Sequence, residues 1–370
     1  MRILILANVP PGVVGGAEVQ TLNLATRWAA TSHKVMIAGH ANCPLQNDNL
    51  SIFRIPTLHQ NRVLRAVSYL VGTMWFLWKN REGFDVIYCR FLREQALTAA
   101  LAKIVYRLKQ PVIACPACSS TGGDVATILK SPAKKILLWL LRNGVTGINA
   151  MSKEIEQEIF SVGLNDIHIS HIPNGVTIPT IKRSMPKQDQ RTRVLFVGRL
   201  VEQKGLDILL DAVNLLKELP IAFSLDIIGD GPSHQKLVKK VYDFGLEQII
   251  HFAGAKPPGK ISVQLRHANL FVLPSHYEGM SGALLEAIAH GLPAIVTNVS
   301  GSEDIIDNGI GWIVPVNDVN ALAKALKYAL SINHRTLFEM GSRARIKAKE
   351  KFDIDLIADE YINLFYAVKM

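Results

Sequence analysis

The chain has 370 residues, 49% of them hydrophobic and 19% charged. At about 150 residues per domain this is material for two buried cores, and it excludes a disordered chain. The 26 Gly and 17 Pro exclude collagen-like and low-complexity classes, and four Cys do not make a disulfide framework but fit a reducing compartment. The net charge of +10 is unevenly spread: residues 1–180 carry 18 Lys+Arg against 10 Asp+Glu (+8), residues 181–370 carry 23 against 21 (+2). Such an excess points the first half towards an anionic partner, nucleic acid or anionic lipid, although a solvated basic surface would look the same.

The opening Met1–Asn8 is too short and too early broken for a signal peptide. No run reaches the ~18 apolar residues of a spanning helix. The longest candidate, Ala66–Trp78, holds thirteen uncharged residues that include Ser68, Gly72 and Thr73. The expectation is a soluble, cytoplasmic protein. Short apolar β-rich runs follow at Arg2–Ala7, Lys34–Ala38, Val86–Cys89, Val112–Cys115 and Thr146–Ala150, separated by helical patterns such as Glu18–Ala30 and Arg93–Tyr106. Strands alternating with helices of this length predict βαβ units on a parallel sheet. Turn chemistry at Pro173-Asn174-Gly175 and the polar stretch Pro179–Gln190 predict a linker. The alternation then restarts, with strands expected at Val194–Val197, Leu225–Ile228, Ile250–Ala253, Leu270–Leu273, Ala294–Thr297 and Trp312–Val314. A last helix, Ile354–Val368, has no partner strand. Two α/β domains in tandem are therefore expected, with ligands at the carboxyl ends of their strands and in a cleft between them.

Three loops invite an anion or a sugar. The first strand runs into Pro10-Pro11-Gly12-Val13-Val14-Gly15-Gly16-Ala17-Glu18, where Gly15 and Gly16 would let backbone N–H groups approach phosphate at a helix start; an ordinary tight turn would read alike. Neither G-x-G-x-x-G nor a P-loop is present. Strand Val194–Val197 runs into Gly198-Arg199-Leu200-Val201-Glu202-Gln203-Lys204-Gly205. Its fork-shaped Arg199 and compact Lys204 suit a diphosphate, or are two surface cations. The third loop, after Leu270–Leu273, reads Glu278-Gly279-Met280-Ser281-Gly282-Ala283-Leu284-Leu285-Glu286. Gly279 and Gly282 free backbone donors, while Glu278 and Glu286 can each accept sugar hydroxyls. The bland alternative is a loop Glu and a solvated helix Glu, but the buried-looking residues that follow Glu286 imply that a carboxylate there needs a partner.

Gly198-Arg199-Leu200 with Lys204-Gly205, Ile228-Gly229-Asp230-Gly231, Glu278-x7-Glu286, Gly291-Leu292-Pro293, Gly15-Gly16-Ala17-Glu18 and Ile172-Pro173-Asn174-Gly175-Val176 together resemble the retaining glycosyltransferases of family 4. The match is dense from about 170 to 315. The resemblance implies the GT-B fold, α/β, with two Rossmann-like domains whose parallel sheets face across a central cleft. An N-terminal acceptor-side domain would span 1–180 and a nucleotide-sugar-binding domain 181–350. A C-terminal helix, 351–370, would pack back onto the N-terminal domain. It implies hexose transfer from a nucleotide sugar to an acceptor hydroxyl with retention, in polysaccharide, glycolipid or cell-envelope glycan synthesis, without metal or other cofactor and without nucleic acid.

Carried over by residue, Arg199 and Lys204 would hold the diphosphate as catalytic groups beside Gly198. Glu278, the third catalytic group, would meet the hexose together with Gly279, Met280 and Ser281. Glu286 would bind ribose, and Gly15 and Gly16 would approach the phosphates. Many members carry a His in the loop after Cys115. Here the loop reads Cys115-Pro116-Ala117-Cys118-Ser119-Ser120-Thr121-Gly122-Gly123-Asp124, a Gly-Gly-Asp version that resembles a subset of the family and offers Gly123 and Asp124 on the acceptor side. Cys115-x-x-Cys118 as a redox or zinc pair lacks a second Cys pair or a nearby His. Asp353-x-Asp355 reads as a solvated helix face.

Lys130–Arg142 and Arg62–Arg81, apolar with Trp and flanking cations, suit an interfacial helix, or a core helix with basic ends. An acceptor on a lipid carrier at the inner face of a membrane would account for both. The alternatives are a non-catalytic nucleotide-sugar-binding subunit and another GT-B enzyme such as a nucleotide-sugar epimerase. A phosphorylase would need a lysine for pyridoxal and a much longer chain.

Overall fold

The computed structural model describes residues 1–9, 15–39, 48–58, 60–119, 122–185, 191–217 and 222–369. The chain divides into two compact units, Met1–Gly175 with Ile354–Met370, and Val176–Asp353. Each has its own continuous apolar core.

The first unit is built on seven strands: β1 (Arg2–Leu6), β2 (Lys34–Gly39), β3 (Leu50–Arg54), β4 (Val86–Arg90), β5 (Val112–Cys115), β6 (Gly147–Asn149) and β7 (His168–Ser170). They lie in the order β3-β2-β1-β4-β5-β6-β7, and every ladder is parallel. The second sheet holds β8 (Thr192–Val197), β9 (Phe223–Ile228), β10 (Ile250–Gly254), β11 (Leu270–Leu273), β12 (Ala294–Thr297) and β13 (Gly311–Val314), in the order β10-β9-β8-β11-β12-β13, again all parallel. These are two Rossmann-like α/β sheets. Strands covered by helices on both faces must bury nearly every side chain, which is why β5 and β11 read as unbroken apolar runs and β1 and β4 as apolar runs with one arginine at an end. The strands absent from the sequence reading, β3 and β7, are edges. One is only half buried and the other has three residues, so neither presents a long apolar run.

In the first unit α1 (Gly16–Ala30) packs against α14 (Ile354–Ala367), while α3 (Glu94–Tyr106) packs against both α2 (Arg62–Lys79) and α5 (Lys134–Gly144). The last helix is held by more than apolar packing. Trp28 Nε1 donates to the Ala358 carbonyl at 3.0 Å, and Asn149 Nδ2 donates to the Tyr361 hydroxyl at 2.8 Å. Trp28, Tyr88, Tyr361 and Phe365 meet edge-on or tilted at 5.4–6.0 Å. Such pairs add about 0.5–1.5 kcal/mol each beyond their burial.

The stretch read as a linker is tied down where it is described. Val176 N donates to the Phe352 carbonyl at 2.7 Å, and buried Arg183 donates to the Gly291 carbonyl at 3.2 Å. Residues 186–190 of that stretch, Pro10–Val14 of the first loop and Ser120–Thr121 of the Cys115–Asp124 loop lie outside the described residues.

Candidate active site

In an open parallel sheet the strand order reverses at one point, and the loops leaving the two strands there part to leave a crevice. In the second unit this switch lies between β8 and β11. The loop after β8 carries Gly198, Arg199 and Lys204. The loop after β11 carries Glu278, Gly279, Met280 and Ser281. The sequence candidates of this unit thus converge on its topological switch point.

The two loops lock together through backbone. His276 N donates to the Gln203 carbonyl at 2.8 Å, and Gln203 Nε2 donates to the Tyr277 carbonyl at 2.9 Å. Gly205 sits between them at φ +61°, and a Cβ there would lie 2.0 Å from the Pro274 carbonyl oxygen. Only glycine satisfies both the left-handed backbone and that approach. On the far side Gly301, at φ +76°, lies so close that a Cβ would come within 2.8 Å of the Gly279 carbonyl oxygen.

This closure places Lys204 Nζ 2.5 Å from Glu278 Oε1, across 74 residues of sequence. The Ser275 hydroxyl donates to the same oxygen at 2.7 Å, and the Thr297 hydroxyl holds the Ser275 carbonyl at 2.5 Å. Both charged side chains are largely buried, at 14% and 9% exposure. The strength of such a charge-assisted bond rises as water is excluded. The sequence reading assigned Lys204 to phosphate and Glu278 to sugar separately; the structure makes them one ion-paired unit. Arg199, by contrast, is exposed and pairs with no carboxylate among the described residues. Ser275 and Thr297, which fix Glu278, are not singled out by the sequence.

Ser281 caps α10 (Gly282–Ala289), its hydroxyl accepting from Leu284 N. Glu278 and Ser281 line a small recess with Ser300, Gly301 and Ser302. One turn into α10 from Gly282, Glu286 is half-buried and makes no side-chain hydrogen bond among the described residues. Burial pushes its carboxyl above the usual carboxylate range. Its backbone carbonyl accepts from His290, whose ring bonds the Ser262 hydroxyl at 2.8 Å. Ala287, Ile288 and Ala289 are fully buried, as the sequence suggested.

In the first unit Gly15 caps α1 with extended backbone, and Gly16 opens the helix with room for a side chain. Gly123 caps the short helix α4 (Asp124–Leu129). Asp124 is not open to a ligand. Its carboxylate is 2% exposed and is taken up by Arg93 Nε at 2.8 Å and by the Ala117 N–H at 3.1 Å. Desolvation raises its pKa against the opposing pull of Arg93. Asp124 is therefore committed to Arg93, itself 44% exposed, and to the Ala117 N–H.

Cys115 is fully buried and accepts from Arg90 Nη1 at 3.1 Å, which leaves no thiol pair with Cys118 open to solvent. Asp355 pairs with Arg27 at 2.8 Å, and Asp353 bridges Val176.

The "Glycosyltransferase Family 4" model matches residues 14–178, and the "Glycosyl transferases group 1" model matches residues 177–351. Among curated relatives, the putative colanic acid biosynthesis glycosyltransferase WcaL of Salmonella typhimurium is 34% identical over 193 residues, 50% of this chain and 48% of that one. The chain spans about half the length of the first curated relatives it matches. Sucrose-phosphate synthase from Thermosynechococcus elongatus shares the fold over 99% of this chain and 98% of its own, at a TM-score of 0.80 and 19% identity. Anabaena HepE in complex with UDP-glucose does so over 99% and 100%, at 0.80 and 17%. With one glycosyltransferase model on each unit, together running from residue 14 to residue 351, and two Rossmann-like sheets shared with these structures, the chain has the GT-B fold and is similar to glycosyltransferases over nearly all of that span.

Proposed function

We propose that the chain transfers a hexose-type sugar from a nucleotide-sugar donor to an acceptor hydroxyl, with retention of configuration, in the synthesis of a polysaccharide, glycolipid or cell-envelope glycan. The observation that carries this reading is the buried Lys204–Glu278 pair at the switch point of the second sheet, on a loop that also carries exposed Arg199, with Glu286 one turn into the helix after Glu278 and its carboxylate without a hydrogen bond among the described residues. The names of WcaL and of HepE with UDP-glucose support a nucleotide-sugar donor and a glycan product.

The residues divide the work as follows. Arg199 and Lys204 neutralise the diphosphate, Glu286 accepts ribose hydroxyls, and Glu278 accepts a hydroxyl of the hexose while holding Lys204 in place. In front-side transfer the acceptor oxygen bonds to the anomeric carbon on the face from which the diphosphate leaves. The bond from anomeric carbon to phosphate oxygen breaks, and the acceptor's proton passes to the leaving diphosphate. Charge on that diphosphate grows during the step, so cations fixed beside it stabilise the transition state more than the ground state. No metal or other cofactor has a role in this scheme, so activity should persist in EDTA.

The test is release of nucleoside diphosphate from UDP-glucose and other nucleotide sugars, with and without candidate acceptors, followed by NMR of the product's anomeric centre. Acceptor-dependent release with retained configuration is expected. Binding without release for every donor would favour the non-catalytic subunit, and interconversion of the donor without an acceptor would favour an epimerase.

A further inference from the structure

We infer that the outer face of the first unit's α2–α3–α5 layer is a docking surface for an anionic lipid bilayer. The inference stands on surface chemistry and does not rest on the donor reading. Helix α2 has two apolar sides. One, with Tyr69, Phe76 and Leu77, is buried in the core. The other carries Val63, Val67, Val71, Trp75 and Trp78 at 71, 52, 62, 48 and 50% exposure. Their spacing of four, four, four and three residues keeps them on one line along the helix. A soluble helix normally shows polar residues there, and an exposed apolar stripe of this length marks a contact with something apolar.

The partner's charge is written beside the stripe. Neither α2 nor α5 contains an acidic residue. Lys79 Nζ lies 5.1 Å from the centre of the Trp75 ring, and the Arg81 guanidinium lies 5.7 Å from that of Trp78. Helix α5 adds exposed Ile136 and Trp139 between Lys135 and Arg142. Indoles flanked by cations match the level of lipid headgroups, with rings at the acyl boundary and charges on phosphates. Between α2 and α3 the same face has a shallow apolar depression of about 380 Å³, floored by Leu70, Met74, Leu101 and Tyr106. A bilayer accounts for the apolar stripe and the cations beside its indoles together. No helix among the described residues is long and apolar enough to cross a membrane, so this is a surface contact.

The test is co-sedimentation of the full chain with phosphatidylcholine vesicles, with and without phosphatidylglycerol, at low and high salt. Wild type should pellet with the anionic vesicles at low salt and be released by salt. Its Trp fluorescence should be quenched by brominated lipid. Trp75→Ser with Trp78→Ser should weaken vesicle binding by about tenfold or more at an unchanged melting temperature. Val67→Ser with Val71→Ser, which leaves every aromatic in place, should also weaken it. Failure of wild type to bind anionic vesicles, or wild-type binding by both double variants, overturns the inference. So does a wild-type dimer in solution that the Trp variant dissolves, because the stripe would then be covered by a second copy.

Discussion

Lys204 and Glu278 form one buried pair, and this leads to opposite expectations for substitutions at the two positions. Removing the charge of Glu278 leaves the Lys204 ammonium without its counter-ion, so Glu278→Gln should bind nucleoside diphosphate as tightly as wild type or more tightly. Its turnover should fall by about 10²–10³, the usual cost of losing one preorganised group. Calorimetric titration with UDP beside steady-state kinetics reads both; weaker UDP binding with unchanged turnover would remove Glu278 from the site. Lys204→Ala should instead strand a buried carboxylate and cost about 3 kcal/mol of stability, seen as a lower melting temperature, together with diphosphate affinity. Glu286 supplies the pH test. Its folded pKa is raised by desolvation, so the group favours folding below its unfolded pKa, and that contribution is lost as pH rises through the folded value. Glu286→Gln should therefore raise the melting temperature at pH 7–8 relative to wild type and flatten its pH dependence, while weakening UDP relative to 2′-deoxy-UDP by about tenfold, or ~1.4 kcal/mol.

At the scale of elements, the loops after β8 and β11 act as one piece because Gly205 lets them touch. Gly205→Ala places a side chain in a left-handed conformation, costing about 1–2 kcal/mol from the backbone alone, and drives it into the Pro274 carbonyl. Part of the destabilisation should appear as lost transferase activity, because Lys204 is the residue immediately before it. Hydrogen exchange with bound UDP should show protection concentrated in 198–205 and 275–286. Uniform protection, or protection confined to the first unit, would contradict the placement. The helices of the first unit show how far periodicity reaches. The repeat in α2 marks an apolar helix but does not say that it has two apolar sides. That depends on where β3 and α3 lie, which is decided by tertiary packing.

At the scale of the molecule, the chain leaves the first unit at Gly175 and returns to it at Ile354. Deleting residues 354–370 should expose Trp28 and Tyr88 and remove the Tyr361 hydroxyl from Asn149, destabilising the first unit while the second keeps its UDP-dependent exchange protection. The sequence alone determined the two parallel sheets, since strands buried on both faces must be written as apolar runs between helices. It also marked the loops that carry Lys204 and Glu278 and the helix start that carries Glu286, since glycines and charges at strand ends stand out against those runs. It did not show the edge strands β3 and β7, whose half-exposed residues leave no such run. Only the tertiary structure decided that Lys204 and Glu278 pair, that Ser275 and Thr297 hold them, that Asp124 belongs to Arg93, and that one side of α2 stays uncovered. Each of these depends on which groups meet across tens or hundreds of residues, and local spacing carries no information about a partner that only packing brings within hydrogen-bond reach.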